Sequence, residues 1–292
     1  LIISLALLTA GGGLSHTDTA SAQTSWECSA LPHESTATVS VSPTADSAQF
    51  DTIPFPAGTE EILIFAAASL TDAFLAIEGD VESANPGVDL VFNFAGSQTL
   101  VTQLIEGAPA DVFASANNAQ MDAAIDEGVI SGEPVEFARN SLAIVVPADN
   151  PGGVQSIADL DNDGVRIVLA SEDVPVGGYS RTSICAAEAA GVESEGFSAR
   201  VARNVVSNET NVRSVLAKIA LGEADAGIVY ASDITSDVAG DVVAIEIPAD
   251  LNVVASYPIA TVDGGRAEAA AAFISYVLSP SGQARLAEFG FS

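Results

Sequence analysis

From residue 58 onward the chain alternates between two kinds of segment, and that alternation limits the fold more than any other feature. Short apolar, β-branched runs occur at 62–68, 88–94, 111–116, 142–147, 165–170, 227–230, 242–248 and 257–262. Between them the apolar residues recur at helical spacing. Leu70, Phe74 and Ile77 form one such series, Leu100 and Leu104 another, Met121 and Ile125 a third, and Val212, Val215, Leu216 and Ile219 a fourth. Gly79, Gly107, Gly128 and Gly222 stand where helix C-caps are expected. Continuous apolar strands alternating with helices predict an α/β fold with mainly parallel sheets. The length favours two lobes with a ligand crevice between them.

The charge balance narrows the partners. The chain has 292 residues, with 39 acidic against 9 basic and a net charge of −30. Such a surface repels nucleic acid and anionic lipid. Two readings of the acidity stand side by side: plain solubility, or a saline habitat, since at about 1 M salt the Debye length falls to roughly 3 Å and self-repulsion is screened.

The first residues read as a targeting segment. "LIISLALLTAGGGL" is an apolar run of signal-peptide length, followed by an A-x-A cleavage pattern at residues 20–22. It has no initiator Met and no basic residues, so residues 1–22 are expected to be an N-terminally truncated signal peptide, and the protein to be exported. Residues 23–57, rich in Ser, Thr, Ala and Pro, are expected to form a flexible extension. Cys28 follows Trp26-Glu27, where a lipid-attachment motif wants small residues, which argues against a lipid anchor there. Cys28 and Cys185 are the only cysteines. An exported context permits a disulfide between them, and two separate thiols remain the alternative.

Four junctions share one chemistry. "AAASLTD" (66–72), "FAGSQTL" (94–100), "VPVGGYSRTS" (174–183) and "SNETNVRSVL" (207–216) each run through a small, hydroxyl- or glycine-bearing turn into a helix. A helix start exposes N–H groups without intrahelical partners and the positive end of a dipole. Small residues let an anion approach those groups. Taken singly, each serine is expected to be a cap, and Ser69 with Asp72 has the shape of a capping box. Catalytic alternatives are thin. His16 and His33 both precede the globular part, so no imidazole base is available in the core. Metal-ligand spacing and a phosphate loop are absent from the sequence. Binding is favoured over catalysis.

At these same residues the chain resembles the periplasmic molybdate-binding proteins of ABC importers. The resemblance covers roughly residues 60–292 and rests on eight motifs in order: "FAAASLTDAF", "FAGSQTL", "EGAPADVFASAN", "NSLAIVVP", "VPVGGYS", "NVRSVL", "GIVYASD" and "SPSGQARLAEFGF". It implies a type II periplasmic-binding-protein fold. Lobe one would hold 58–144 and 252–292, lobe two 145–251. The crossings would be "NSLAIVVP" and the stretch before Tyr257, and the two C-terminal helices would fold back onto lobe one.

The resemblance also implies an oxyanion site. Ser69 and Ser97 would offer hydroxyl and backbone donors, Val176 and Val212 backbone N–H groups, and Tyr230 its phenolic O–H. Val176 stands where relatives often have Ala. Gly96 stands where many have Ser, and is expected to loosen its turn. All five can donate and none is an acid, which suits a fully deprotonated tetrahedral dianion. Asp72 and Asn211 are expected to serve helix starts, and Arg213 a structural ion pair. The expected function is capture of molybdate, with tungstate bound comparably, for an ABC permease by lobe closure, as a monomer without cofactor, catalysis or direct metal-cation ligation. A sulfate or other oxyanion receptor on the same fold is the alternative, and a secreted hydrolase with a carboxylate pair a more distant one.

Overall fold

The computed structural model describes residues 26, 28, 53–192 and 195–292. The signal segment over 1–22, both histidines and most of the extension over 23–57 lie outside the described residues. In chain order the elements are β1 (Glu61–Ala67), α1 (Thr71–Ala84), β2 (Asp89–Ala95), α2 (Ser97–Ile105), β3 (Val112–Ala114), α3 (Asn118–Asp126) and a long β4 (Ile130–Pro147). There follow β5 (Ile167–Ala170), α4 (Pro175–Ala189), α5 (Phe197–Asn204), β6 (Val205–Glu209), α6 (Val212–Ala220), β7 (Ala226–Tyr230) and β8 (Val242–Glu246). The chain ends with β9 (Val254–Val262), α7 (Ala267–Leu278) and α8 (Pro280–Glu288).

The strands join in the order β2-β1-β3-β9-β4-β7-β5-β6, with β8 pairing β4. The α/β alternation produces parallel pairs: β1 with β2 and β3, and β5 with β6 and β7. The four remaining pairs, all involving β4 or β9, are antiparallel. The sheet is therefore mixed and not mainly parallel, because β4 and β9 are return strands joining two βα halves. β4 changes partner along its length, pairing with β9 up to Ser141 and with β7 and β8 from Leu142 on.

Three other expectations needed correction. The first part of β4 and the whole of β6 are strands without a buried apolar run, since both are largely polar or exposed. The helix over Phe197–Asn204 was likewise unmarked. Gly79 lies inside α1, which continues to Ala84, whereas Gly107, Gly128 and Gly222 do follow helix ends at φ of 87°, 72° and 70°. At each of these three the next amide reaches back to the last turn, as in Ala108 N to Gln103 O at 2.9 Å.

Apolar faces explain the packing. Phe74, Ile77 and Val81 lie on one side of α1 and are fully buried. The Phe74 ring stands 5.7 Å from Phe273 of α7 and 5.9 Å from Phe92 of β2; burying such a side chain contributes about 1.5–3 kcal/mol. Asp80 of α1 takes a forked pair of bonds from Arg285 of α8, both 2.9 Å, so the C-terminal helices pack against α1. Cys28 and Cys185 form a disulfide, which ties the extension to α4 and engages the sulfur that a lipid would need. Among the described residues no helix is long and apolar enough to cross a membrane.

Candidate functional site

The carboxyl ends of β1, β2, β5 and β7 face one small cavity, the usual ligand position in open α/β sheets. Its walls are residues 67–69, 95–97, 116, 174–176, 211–212 and 230. All four junctions contribute, and Ser69, Ser97, Val176, Val212 and Tyr230 are all in the lining. The space, about 10 Å³, is what one water molecule fills, and it excludes a sugar or peptide. Two larger hollows, about 380 and 490 Å³, lie around Asp111–Arg266 and around Asn252. Neither has a buried side-chain atom without a hydrogen bond, whereas Gln98, Arg213, Tyr230 and Asp233, in or beside the walls of the small cavity, each have one, those of Arg213 and Asp233 facing each other as an ion pair.

The local folds present donors. Asn117 and Asn211 cap α3 and α6 by accepting from Gln120 N and Ser214 N, at 2.9 and 3.0 Å. Pro175 opens α4 at a position where its missing N–H costs nothing. The expected capping box at Ser69 is not formed. A 3₁₀ turn over Ala68–Leu70 precedes α1, so Ser69 lies within a helical turn and its hydroxyl meets the Tyr257 hydroxyl at 2.9 Å.

Hydroxyl wiring decides what the cavity offers. Ser97 Oγ accepts from Ala116 N at 3.0 Å, which leaves its own proton free. Tyr257 Oη receives a long contact from Asn140 Nδ2 at 3.5 Å, so the tyrosine proton can go to Ser69 and the Ser69 proton to the cavity. Tyr230 is 1% exposed and its hydroxyl makes no well-formed hydrogen bond, with the Tyr257 hydroxyl as a near polar neighbour. Burial pushes both tyrosine hydroxyls well above their ordinary pKa, so each keeps its proton. No carboxylate lines the space. The site offers donors and apolar walls.

Three bonds span the cavity between the two halves of the sheet. Gln98 Nε2 donates to Thr210 O at 2.9 Å, Gln120 Nε2 to Asp173 O at 3.2 Å, and Arg213 to Asp72 Oδ2 at 2.5 Å. Arg213 also stands 3.5 Å from Asp233, which is fully buried. Burial pushes the Asp233 carboxyl up to about 7, against the pull of Arg213 and the Tyr230 N–H. Gly96 is the N-cap of α2. A Cβ there would meet Thr210 O at 2.5 Å, so the glycine permits close approach across the cleft. Sequence reasoning missed Tyr257, Asn140, Gln98 and Gln120 as supports. Only Gln98, inside "FAGSQTL", carried a signal that could have marked it.

A mixed α/β sheet in two halves, closed around a donor-lined space, defines the class of two-lobed binding proteins. The chain belongs to the bacterial extracellular solute-binding protein family, whose profile matches residues 62–292. It is 40% identical to the molybdate-binding protein ModA of Mycobacterium bovis over 236 residues, covering 80% of this chain and 85% of that one. To the Escherichia coli molybdate-binding protein ModA the identity is 32%, over 80% and 89% of the two chains. The fold also matches the periplasmic molybdate-binding protein of Azotobacter vinelandii, with TM-score 0.67 and 18% identity, over 79% of this chain and 98% of that one.

Proposed function

We propose that this protein captures molybdate outside the cytoplasm and delivers it to an ABC permease, binding the anion through Ser69, Ser97, Val176, Val212 and Tyr230. The observation that carries this reading is the wholly buried Tyr230 hydroxyl, which makes no well-formed hydrogen bond and belongs to a cavity without an acid. A buried donor left unmade costs about 1–3 kcal/mol, so a ligand acceptor is what completes it. A fully deprotonated tetrahedral dianion accepts from every side and needs no acceptor in return. A protonated phosphate would need one. The molybdate-binding relatives at 40% and 32% identity support the choice of anion.

Tungstate has the same charge and nearly the same size as molybdate, and binds comparably. Sulfate is smaller, so the extent of closure discriminates against it. Closure brings lobe one (58–144 and 252–292) onto lobe two (145–251), a ligand-driven population shift with no chemical step. The change of partner along β4 at Ser141/Leu142 supports a hinge there. The lining has neither imidazole nor carboxylate, which supports binding without catalysis, and a monomer suffices because one chain supplies every donor.

An anion panel tests the reading. Molybdate and tungstate at about a thousand times Kd should stabilise the ligand-free chain by roughly 4 kcal/mol, read as a raised melting temperature, with sulfate and phosphate well behind. Greater stabilisation by sulfate would transfer the assignment to a sulfate receptor, and no shift with either molybdate or tungstate would end it.

A further inference from the structure

Arg181 is 1% exposed, yet none of its hydrogen bonds goes to a carboxylate. Its Nη1 donates to Ala170 O at 2.9 Å and Gly177 O at 2.7 Å, and its Nη2 to Asn208 Oδ1 at 2.8 Å. Helical side chains lean toward the N-terminus, so Arg181, five residues after Val176, returns its guanidinium to the β5–α4 turn. The three bonds clamp the end of β5, the first turn of α4 and the neighbouring β6. That turn places Val176 in the cavity wall, and it has no slack: a Cβ on Gly177 would lie 1.9 Å from Ser171 O.

A buried cation without a bonded anion is costly. Here it lies behind a helix start that faces the anion cavity, where its charge adds to the helix dipole. It is also covered. The Trp26 ring centroid lies 5.4 Å from the Arg181 guanidinium carbon, a cation–π arrangement. Two residues on, Cys28 is bonded to Cys185, which stands one turn beyond Arg181 on the same face of α4. We propose that Arg181 is the positioning residue for the α4 side of the anion site, and that Trp26 and Cys28 form a disulfide-anchored strap holding it there. Trp26 and Cys28 are thereby part of the binding scaffold. The effect on affinity rests on the oxyanion reading above; the effect on the turn does not.

The test uses the oxidised full chain and four variants: Arg181→Lys, Arg181→Met, Trp26→Ala and the double Cys28→Ser/Cys185→Ser. Calorimetry gives the Kd for molybdate, and hydrogen exchange reads the backbone over 170–180 without ligand. Arg181→Met should weaken binding about tenfold or more, whereas Arg181→Lys, which keeps the charge but loses the forked bonds, should fall between wild type and Arg181→Met. A packing role alone would give the reverse order. Both strap variants should weaken binding about threefold or more and speed exchange over 170–180, leaving α1 unchanged. Equal affinity for Arg181→Met and wild type, or strap variants with unaltered exchange, would overturn the proposal. Should Arg181→Met not fold, the strap variants decide. A wild-type chain that ignores molybdate would remove the oxyanion reading, and exchange over 170–180 would still decide the strap.

Discussion

Tyr230 and Asp233, three residues apart, are both buried with an oxygen that has no hydrogen-bond partner, and they answer to different measurements. Tyr230→Phe removes a donor and leaves the ring packing against Tyr257 at 5.7 Å. It should weaken molybdate binding by about 1–3 kcal/mol with little change in the ligand-free melting temperature; unchanged affinity in calorimetry would remove Tyr230 from the ligand set. Asp233 governs pH dependence. Its carboxyl is pushed up to about 7 in the folded protein, chiefly by burial, against about 3.9 when unfolded. The folded state then holds the proton more tightly, so this group's contribution to stability is present at low pH and is lost as pH rises from about 4 to 7. Asp233→Asn should flatten that decline in thermal melts; a parallel pH profile would contradict it. That either oxygen makes no hydrogen bond could not be read from sequence, since "GIVYASD" suggested a donor at Tyr230 but nothing about what its neighbours leave unbonded.

Helix starts are where the sequence was most legible. The small residues and hydroxyls of four junctions, spread over residues 66–216, predicted an anion cradle, and the fold brings all four to one cavity. What stayed illegible were contacts between elements far apart in the chain, such as Ser69 with Tyr257, because hydrogen bonding across 188 residues leaves no local pattern. Polar strands were lost for a related reason: β6 is an edge strand whose Val206 faces solvent, so hydrophobic periodicity does not reveal it. The Asp72–Arg213 pair joins the starts of α1 and α6 across the cavity, with each side chain about 30% exposed. In the account of closure this pair exists only when the lobes meet. Asp72→Asn should therefore speed molybdate release severalfold and reduce the salt dependence of the release rate, with the discount that solvent screening imposes on a half-exposed pair. Stopped-flow release at two ionic strengths checks it, and an unchanged rate would deny the pair a part in closure.

Over the whole molecule the dominant electrostatic fact is a net charge of −30. Self-repulsion of that size opposes compaction and is relieved as the Debye length shortens from about 10 Å at 0.1 M to about 3 Å at 1 M salt. The ligand-free melting temperature should rise over that range; a fall would mean that surface ion pairs outweigh the repulsion. In the proposed reading a dianion enters this acidic protein at a cavity whose walls carry no acid and four helical starts. Mixed strand order, which apolar runs do not reveal, is what lets β4 run through both halves and serve as their hinge in the proposed closure. The central claim is that these donors close on a fully deprotonated tetrahedral dianion. Its most direct test is a calorimetric titration of ligand-free protein with molybdate and, separately, sulfate. The account predicts one molybdate per chain with a Kd of about 1 μM or tighter, about −8 kcal/mol, and weaker binding of sulfate. Absence of molybdate binding, or tighter binding of sulfate, would contradict it.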